Sequence, residues 1–158
     1  MNISTTHVGS LPRPKEVSDL LFKKENNKEY DQKHFDDVIS NSVFEVVKKQ
    51  LDIGIDIISD GEMSKISYAT YVKDRYSGFA GDSERNPPQD LEKFPNYMKK
   101  IAASGGTPTY SRPCCVSEII PKDSNDLLND INNLRNSSQK LNHKKFFMNS
   151  ASPGVISL

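Results

Sequence analysis

The sequence predicts an α/β fold built on a parallel sheet, and three observations carry that prediction. Residues 2–8 form a first strand candidate, residues 55–58 are a short run of isoleucines around one aspartate, and a long helical pattern lies between them. Two strands joined through a helix are typically parallel neighbours, because the helix carries the chain back to the starting edge. The first third of the chain therefore forms one strand-helix-strand unit.

The helices of this unit are indicated by their start and stop signals. Two prolines within residues 9–14 predict a loop, and a short helix is expected over residues 15–24. Asp31 is a suitable N-cap for the long helix, and Gly54 lies where its C-terminal cap belongs. Apolar residues recur inside the long helix at a 3.6-residue period, namely Phe35, Val38, Ile39, Val46, Val47 and Leu51.

The middle of the chain predicts a helix followed by an excursion. A helix is expected over residues 67–76, and the proline- and glycine-rich stretch 81–109 is too long for a simple connection. We interpret it as an insertion that contains one short helix over residues 90–103. Insertions of this kind often lie over an active site.

The last third predicts two more strands around a helix. Residues 113–120 and 145–148 are the strand candidates, and the helix between them places Leu127, Leu128, Ile131 and Leu134 on one face. Four strand-helix units correspond to the N-terminal half of a (β/α)8 TIM barrel. Residues 152–158 end without a cap or a closing helix, so we expect residues 1–158 to be a single incomplete barrel domain whose C-terminal half is missing.

Composition narrows the classes of partner. The chain has 158 residues, 21 basic and 21 acidic, with a hydrophobic fraction of 35% and a pI near 6.8. This balance gives no attraction to nucleic acid or to an anionic membrane, so small molecules or other protein chains are the expected partners. No apolar run approaches the roughly 20 residues of a membrane span, and no signal peptide is evident. A cytoplasmic location is therefore expected.

Two loops at strand ends predict a pocket for a small zwitterion. Gly9 follows the first strand, and Glu62 follows the second within the string Ser59-Asp60-Gly61-Glu62. A glycine lets a carboxylate approach the backbone, and a carboxylate is the natural partner of an ammonium ion. The simpler alternatives are a tight turn at Gly9 and, for Glu62, an acid that stabilises a helix N-terminus.

Other polar residues are weaker candidates. His7 could donate a hydrogen bond to a substrate, although a lone histidine is more often structural. Asp60 could accept a hydrogen bond from a substrate, but a role in fixing the Glu62 loop is the preferred interpretation. A charged and aromatic stretch contains Lys65, Tyr68, Tyr71 and Arg75, and the usual interpretation of such a stretch is a half-solvated helix face.

The two cysteines do not form a convincing metal site. Cys114 and Cys115 are adjacent, so they lack the spacing of a chelating pair and cannot form an ordinary structural disulfide with each other. No motif joins them to His143. We interpret them as reduced thiols and expect no metal ligand within the chain.

The strings TTHVGSLPRP, GIDIISDGEMSK followed by YVKDRYSGFAG, and ASPGVISL closely resemble the N-terminal half of the cobalamin-independent methionine synthase family, specifically its short single-barrel members. The resemblance extends over essentially the whole chain. It implies methyl transfer from a methylated folate, 5-methyltetrahydrofolate or its polyglutamate, to the sulfur of homocysteine. It also implies a zinc ion that deprotonates the thiol, with its ligands in the second half of the barrel.

By matching position, Val8, Gly9 and Ser10 resemble the loop that takes the carboxylate of the amino acid, and Glu62 resembles the acid that takes its ammonium group. The resemblance assigns no catalytic residue to this chain. The string Cys115-Val116-Ser117-Glu118-Ile119 departs from the Thr-Gly-Pro-Ile turn of the short members, so no folate-binding residue is carried over. There are two alternatives. One is alkyl transfer to a different thiol, and the other is a non-catalytic half-barrel that pairs with itself or with a complementary half.

Overall fold

A computed structural model describes residues 3–81, 89–103 and 113–156. Seven helices lie within these residues: α1 (Lys15–Glu25), α2 (Gln32–Asp52), α3 (Tyr68–Arg75), α4 (Gln89–Glu92), α5 (Pro95–Ala103), α6 (Asn125–Lys140) and α7 (Pro153–Ile156). Two short strands complete the set, β1 (Phe79–Ala80) and β2 (Cys114–Cys115). The fold is therefore mixed, as the sequence predicts, with helices in the large majority.

Three extended segments, joined by isolated parallel bridges and not by continuous strands, form a minimal parallel sheet at the centre. Thr6 pairs with Ile57 and Ile58 pairs with Phe146, both in the parallel sense. The Ile57 N–H donates to the Thr5 carbonyl at 3.0 Å, and the Phe147 N–H donates to the Ile58 carbonyl at 3.1 Å. The predicted parallel pairing of the first two strands is confirmed at these positions, and the segment around Phe146 lies directly beside the second.

The prediction of residues 113–120 as a third parallel strand is wrong. Cys114–Cys115 pairs with Phe79–Ala80 in the antiparallel sense, with Phe79 opposite Cys115. Gly78 permits this arrangement, because a Cβ there would lie 2.5 Å from the Glu118 carbonyl oxygen. A short apolar run looks the same in either pairing. The described residues thus contain three parallel segments, one fewer than the sequence predicts.

The core lies between the sheet and helices α1, α2 and α6. Its fully buried members include Val17, Val47, Ile58 and Leu134. The predicted start of α2 is confirmed, since the Asp31 side chain accepts a hydrogen bond from the His34 N–H at 2.6 Å. Its predicted end is confirmed too: Gly54, with φ +84°, follows the C-cap residue.

Helix α6 buries a different face from the predicted one. Leu127 and Leu128 are 40% and 49% exposed, whereas Asp130 and Ser138 are buried together with Leu134. The polar residues are tolerated because they are paired: the Ser138 hydroxyl donates to the His143 carbonyl at 2.5 Å. Apolar periodicity alone could not identify these polar contacts.

The predicted excursion at 81–109 lies partly outside the described residues, at positions 82–88 and 104–109. Its described part contains α4 and α5 in place of the single predicted helix, with the break immediately before Pro95. A proline is favoured at the first position of a helix, where its missing N–H costs nothing. Within the described residues, no helix is both long and apolar enough to cross a membrane.

Candidate functional site

Three chain segments leave the sheet at the same end and bring Ser10, Glu62 and Asn149 together. The Ser10 hydroxyl donates to Glu62 Oε2 at 2.5 Å, and the Asn149 amide donates to Oε1 at 3.1 Å. The Tyr68 hydroxyl, from the first turn of α3, also donates to Oε1 at 3.0 Å. Because the carboxyl ends of parallel strands meet at one edge, residues far apart in sequence converge on a single carboxylate.

The Glu62 carboxylate is held in its charged form. Glu62 is 7% exposed, and this burial raises the pKa of its carboxyl group. Hydrogen bonds from Ser10, Asn149 and Tyr68 and the charge of Lys65 lower the pKa by more than burial raises it, so the net shift is downward. Burial and the neighbouring Glu62 raise the pKa of Tyr68, which keeps its donor proton. A carboxylate has about four lone-pair sites. The described residues use three of them, which leaves one for a ligand donor.

The Glu62 turn has an uncommon backbone. Glu62 has φ +57° and Gly61 has φ +60°, the left-handed region that a residue with a Cβ rarely adopts. The turn is tied to the first loop, because the Leu11 N–H donates to the Gly61 carbonyl at 3.0 Å. A Cβ on residue 61 would lie 3.2 Å from both Leu11 and Met63. Glycine at this position permits close contact between the two loops.

Asp60 stabilises the Glu62 turn through both oxygens of its carboxylate. Its Oδ2 accepts from Lys65 Nζ at 2.8 Å, with the two side chains 5% and 2% exposed. Its Oδ1 accepts the Glu62 N–H at 3.0 Å. Both carboxylate oxygens therefore have protein partners, which favours the preferred interpretation of Asp60 as the residue that fixes the Glu62 loop.

Arg13 reaches the same turn from the first loop. Its Nη2 donates to the Glu62 carbonyl at 2.9 Å and also to the Lys65 carbonyl, and its Nε lies 3.3 Å from the Glu62 carbonyl. Burial lowers the pKa of Arg13, and the carboxylates of Glu62 and Asp60 oppose that shift. The sequence predicts only a proline-containing loop at Arg13.

The other predicted residues lie on the first loop with fewer contacts. Gly9 has φ +100°, with open space where a Cβ would be, so the conformation and not the space favours glycine. Val8 is 67% exposed. The Nε2 atom of His7 is buried and has no hydrogen-bond partner among the described residues. Of the predicted residues, Ser10, Asp60 and Glu62 are in direct contact.

The charged and aromatic stretch is more buried than predicted. Lys65 is 3% exposed, and the Arg75 side chain is 13% exposed and pairs with Asp130 at 3.0 Å. The Arg75 guanidinium lies 3.3 Å from the centre of the Tyr71 ring. Burial and the nearby Asp130 raise the pKa of Tyr71 to about 12. The interpretation of this stretch as a half-solvated face is therefore wrong for Lys65 and Arg75.

Asn149, like Arg13, is a site residue that the sequence analysis does not predict. It is the first polar residue after the strand candidate 145–148, the same kind of position that Ser10 and Glu62 occupy after their strands. That position is the signal that could have identified it. A cleft of about 370 Å³ adjoins Asn149 and has apolar walls that include Val72, Leu127, Ile131 and Met148.

His143 and Cys115 contact backbone carbonyl oxygens, in the case of Cys115 Sγ that of Ser117 at 3.5 Å. His143 Nε2 lies 3.1 Å from the Asp56 carbonyl and 3.0 Å from the Lys145 carbonyl, and Cys115 is exposed. Across the described residues, no group of three or more histidine, cysteine, aspartate or glutamate side chains is arranged to hold a metal ion. A zinc site does not fit this part of the chain.

A family model described as "Cobalamin-independent synthase, Catalytic domain" matches residues 3–86, which include Ser10, Glu62 and Tyr68. This match covers more than half of the 158 residues. The chain belongs to this family. Asn149 lies beyond the matched residues, so its contact with Glu62 is known from the structure alone.

Two curated relatives of this cobalamin-independent synthase family member support the same family assignment. A methionine synthase of Sulfolobus acidocaldarius is 31% identical over 77 residues, which are 49% of this chain and 22% of that protein. A 5-methyltetrahydropteroyltriglutamate–homocysteine methyltransferase of Desulforamulus reducens is 32% identical over 77 residues, or 49% of this chain and 10% of that protein. The alignments thus span less than a quarter of either relative.

A solved structure supports the fold over nearly the whole chain. The B12-independent methionine synthase from Shewanella sp. W3-18-1, in complex with selenomethionine, superposes with a TM-score of 0.60 at 18% identity. The match covers 96% of this chain and 38% of that structure. The described residues therefore share the fold of part of that enzyme.

Proposed function

We propose that this chain binds the amino-acid end of a homocysteine-like thiol, as part of a methyltransferase that makes methionine. The observation that carries the proposal is the buried Glu62 carboxylate, which three neutral donors hold ionised while the described residues leave one acceptor position open. An ammonium group would supply the missing donor and the balancing charge. The Shewanella neighbour was solved with selenomethionine, an amino acid of this type.

The other end of the amino acid is assigned to the first loop. Backbone N–H groups of Val8 and Gly9 and the Ser10 hydroxyl are the proposed partners of its carboxylate, with the open conformation of Gly9 allowing close approach. The Ser10 hydroxyl has a single proton, which it donates to Glu62 in this structure. A contact with the ligand carboxylate would require this proton to turn away from Glu62, which would open a further acceptor position there for the ammonium group. His7, whose buried Nε2 has no described partner, is the proposed additional donor.

Calorimetric titration of the 158-residue chain tests this proposal. L-Methionine should bind, and desamino-methionine (γ-methylthiobutyrate), which lacks the ammonium group, should bind at least about tenfold more weakly. Glu62→Gln removes the charge but keeps the shape of the side chain, so it should abolish the difference in affinity between the two ligands. The exposed Glu29 gives the matched control, Glu29→Gln, which should retain it. Equal affinity of the unchanged chain for both ligands would contradict the proposal.

The methyl donor, a methylated folate, is proposed from the family alone. Zinc is proposed on the same basis, with ligands outside the described residues because no candidate group lies within them. Elemental analysis of the purified chain tests the zinc assignment. Stoichiometric zinc that disappears in a Cys114→Ser/Cys115→Ser variant would contradict it, and a metal-free chain is the expected result.

We further propose that a complementary half-barrel completes the domain, either from a longer chain or from a partner. Ile3 and Phe146, on the two outer segments of the sheet, are 86% and 40% exposed, and uncovered sheet edges pair readily with other chains. Sedimentation velocity should detect concentration-dependent self-association of the chain. A strictly monomeric chain at every concentration would contradict this assignment.

A different thiol acceptor is compatible with the site only if it also carries an ammonium group.

A further inference from the structure

We infer that Arg13 is a positioning residue that locks the two loops of the site into one unit. It does so through the main chain of the Glu62 turn and not through a side-chain ion pair. Its effect on ligand binding rests on the proposed function, but its effect on the geometry of the loops does not.

The contacts of Arg13 require the shape of a guanidinium group. Nη2 donates to two carbonyl oxygens, those of Glu62 and Lys65, while Nε approaches the first of them at 3.3 Å. A guanidinium presents its donors in a rigid planar fork, whereas an ammonium group on a flexible stem does not. Lysine at this position would keep the charge and lose the fork.

The turn needs this support because of its backbone conformation. Glu62 has φ +57°, a conformation that persists in a residue with a Cβ only when its surroundings enforce it. The Glu62 carbonyl accepts from Arg13 Nη2 at 2.9 Å and from the Lys65 N–H at 3.2 Å. These two donors fix the peptide plane that follows Glu62, and with it the direction of the side chain.

Arg13 also couples the turn to Ser10. Arg13 and Ser10 belong to the same loop, and between them the Leu11 N–H donates to the Gly61 carbonyl at 3.0 Å. The Leu11 and Arg13 contacts therefore hold the loop that presents the Ser10 hydroxyl to Glu62 Oε2 at 2.5 Å. Loss of the Arg13 contact should release both loops together.

The first test is amide hydrogen exchange on the ligand-free 158-residue chain, with Arg13→Lys compared to Lys15→Ala. Lys15 is a matched cation two residues away, 88% exposed and paired only with Asp19 in the described ion pairs. In Arg13→Lys, exchange of the Leu11 and Lys65 amides should become about tenfold faster, because a hydrogen bond to a charged donor is lost. Lys15→Ala should leave both unchanged.

The Val47 amide, from the buried centre of α2, is the reference for global unfolding. Faster exchange at Leu11 and Lys65 with Val47 unchanged supports the positioning role. No change at Leu11 and Lys65, or an equal acceleration at Val47, would overturn it.

The second test compares L-methionine with desamino-methionine on the same variants. Arg13→Lys should weaken methionine binding about tenfold, because the Glu62 carboxylate and the first loop are no longer held in place, and should weaken the desamino ligand less, because that ligand makes no contact with Glu62. Lys15→Ala should leave both affinities unchanged. Unchanged methionine affinity would overturn the link to the site. If the original chain does not distinguish the two ligands, the proposed function fails, and hydrogen exchange alone then decides the role of Arg13.

Discussion

At the residue scale, the properties of Glu62 are set by side chains distant in the sequence. Its hydrogen-bond donors Ser10 and Asn149 lie 52 and 87 residues away. The sequence indicates the acid and its loop, and also the serine loop that faces it. The position of Asn149 after a strand candidate marks it as a candidate, but its contact with Glu62 depends on which segment lies next to residues 55–58 in the sheet, and one sequence does not specify that.

The lowered pKa of Glu62 predicts a pH dependence of stability. Its folded pKa lies below the ordinary value of 4.5, so the contribution is present above that value and is lost as pH falls through the folded pKa. Urea denaturation should show the free energy of unfolding decreasing over this acidic range. The decrease should be smaller in Glu62→Gln and unchanged in Glu29→Gln. An identical acid dependence in Glu62→Gln would contradict the assigned shift.

The buried Asp60–Lys65 pair predicts a large effect of removing one charge. Asp60→Asn removes the carboxylate that is hydrogen-bonded to the buried Lys65 and should lower the free energy of unfolding by about 3 to 5 kcal/mol. The exposed pair between Lys15 and Asp19, whose side chains are 88% and 56% exposed, provides the control. Asp19→Asn should change stability by less than about 1 kcal/mol. Comparable losses from the two variants in chemical denaturation would show that Asp60 does not anchor the turn.

At the element scale, helices α1, α2, α3 and α6 followed from local signals, whereas the break between α4 and α5, the expectation of no helix in residues 152–158, which α7 contradicts, and the strand order did not. The Asp31 cap and Gly54 lie within one turn of the helix they bound, so a short stretch of sequence contains the relevant chemistry. Pairing of β2 with β1 instead of the parallel sheet depends on Gly78 and on Glu118, forty residues away. The wrong third strand therefore reflects a long-range choice that hydrophobic pattern does not encode.

Helix α3, which supplies Tyr68 to the site, offers a test of local capping. Ser67 accepts a hydrogen bond from the Thr70 N–H at 3.2 Å, so Ser67→Ala should cost about 1 kcal/mol. Ser124 occupies the same position before α6 without a side-chain capping bond, and Ser124→Ala should fall within about 0.5 kcal/mol of the original chain. Thermal denaturation measures both. Equal destabilisation would mean that the Ser67 bond adds nothing.

At the scale of the whole molecule, the site residues lie together at one edge of the minimal parallel sheet. The three segments contribute Ser10, Glu62 and Asn149, and α3 adds Tyr68. The chain superposes on part of the Shewanella enzyme with a TM-score of 0.60. Family membership and the general α/β class were accessible from the sequence, because the strings around Gly9 and Glu62 are long and ordered. The number of parallel segments required the structure.

The most direct test of the central claim is a nuclear magnetic resonance titration that follows the Glu62 side-chain carboxyl carbon. The account predicts that L-methionine shifts this resonance saturably at neutral pH, that the Ser10 resonances follow with the same midpoint, and that desamino-methionine leaves the carboxyl signal in place. A methionine titration that saturates elsewhere in the chain while the Glu62 carboxyl signal stays unchanged would contradict the assignment of Glu62 as the ammonium partner.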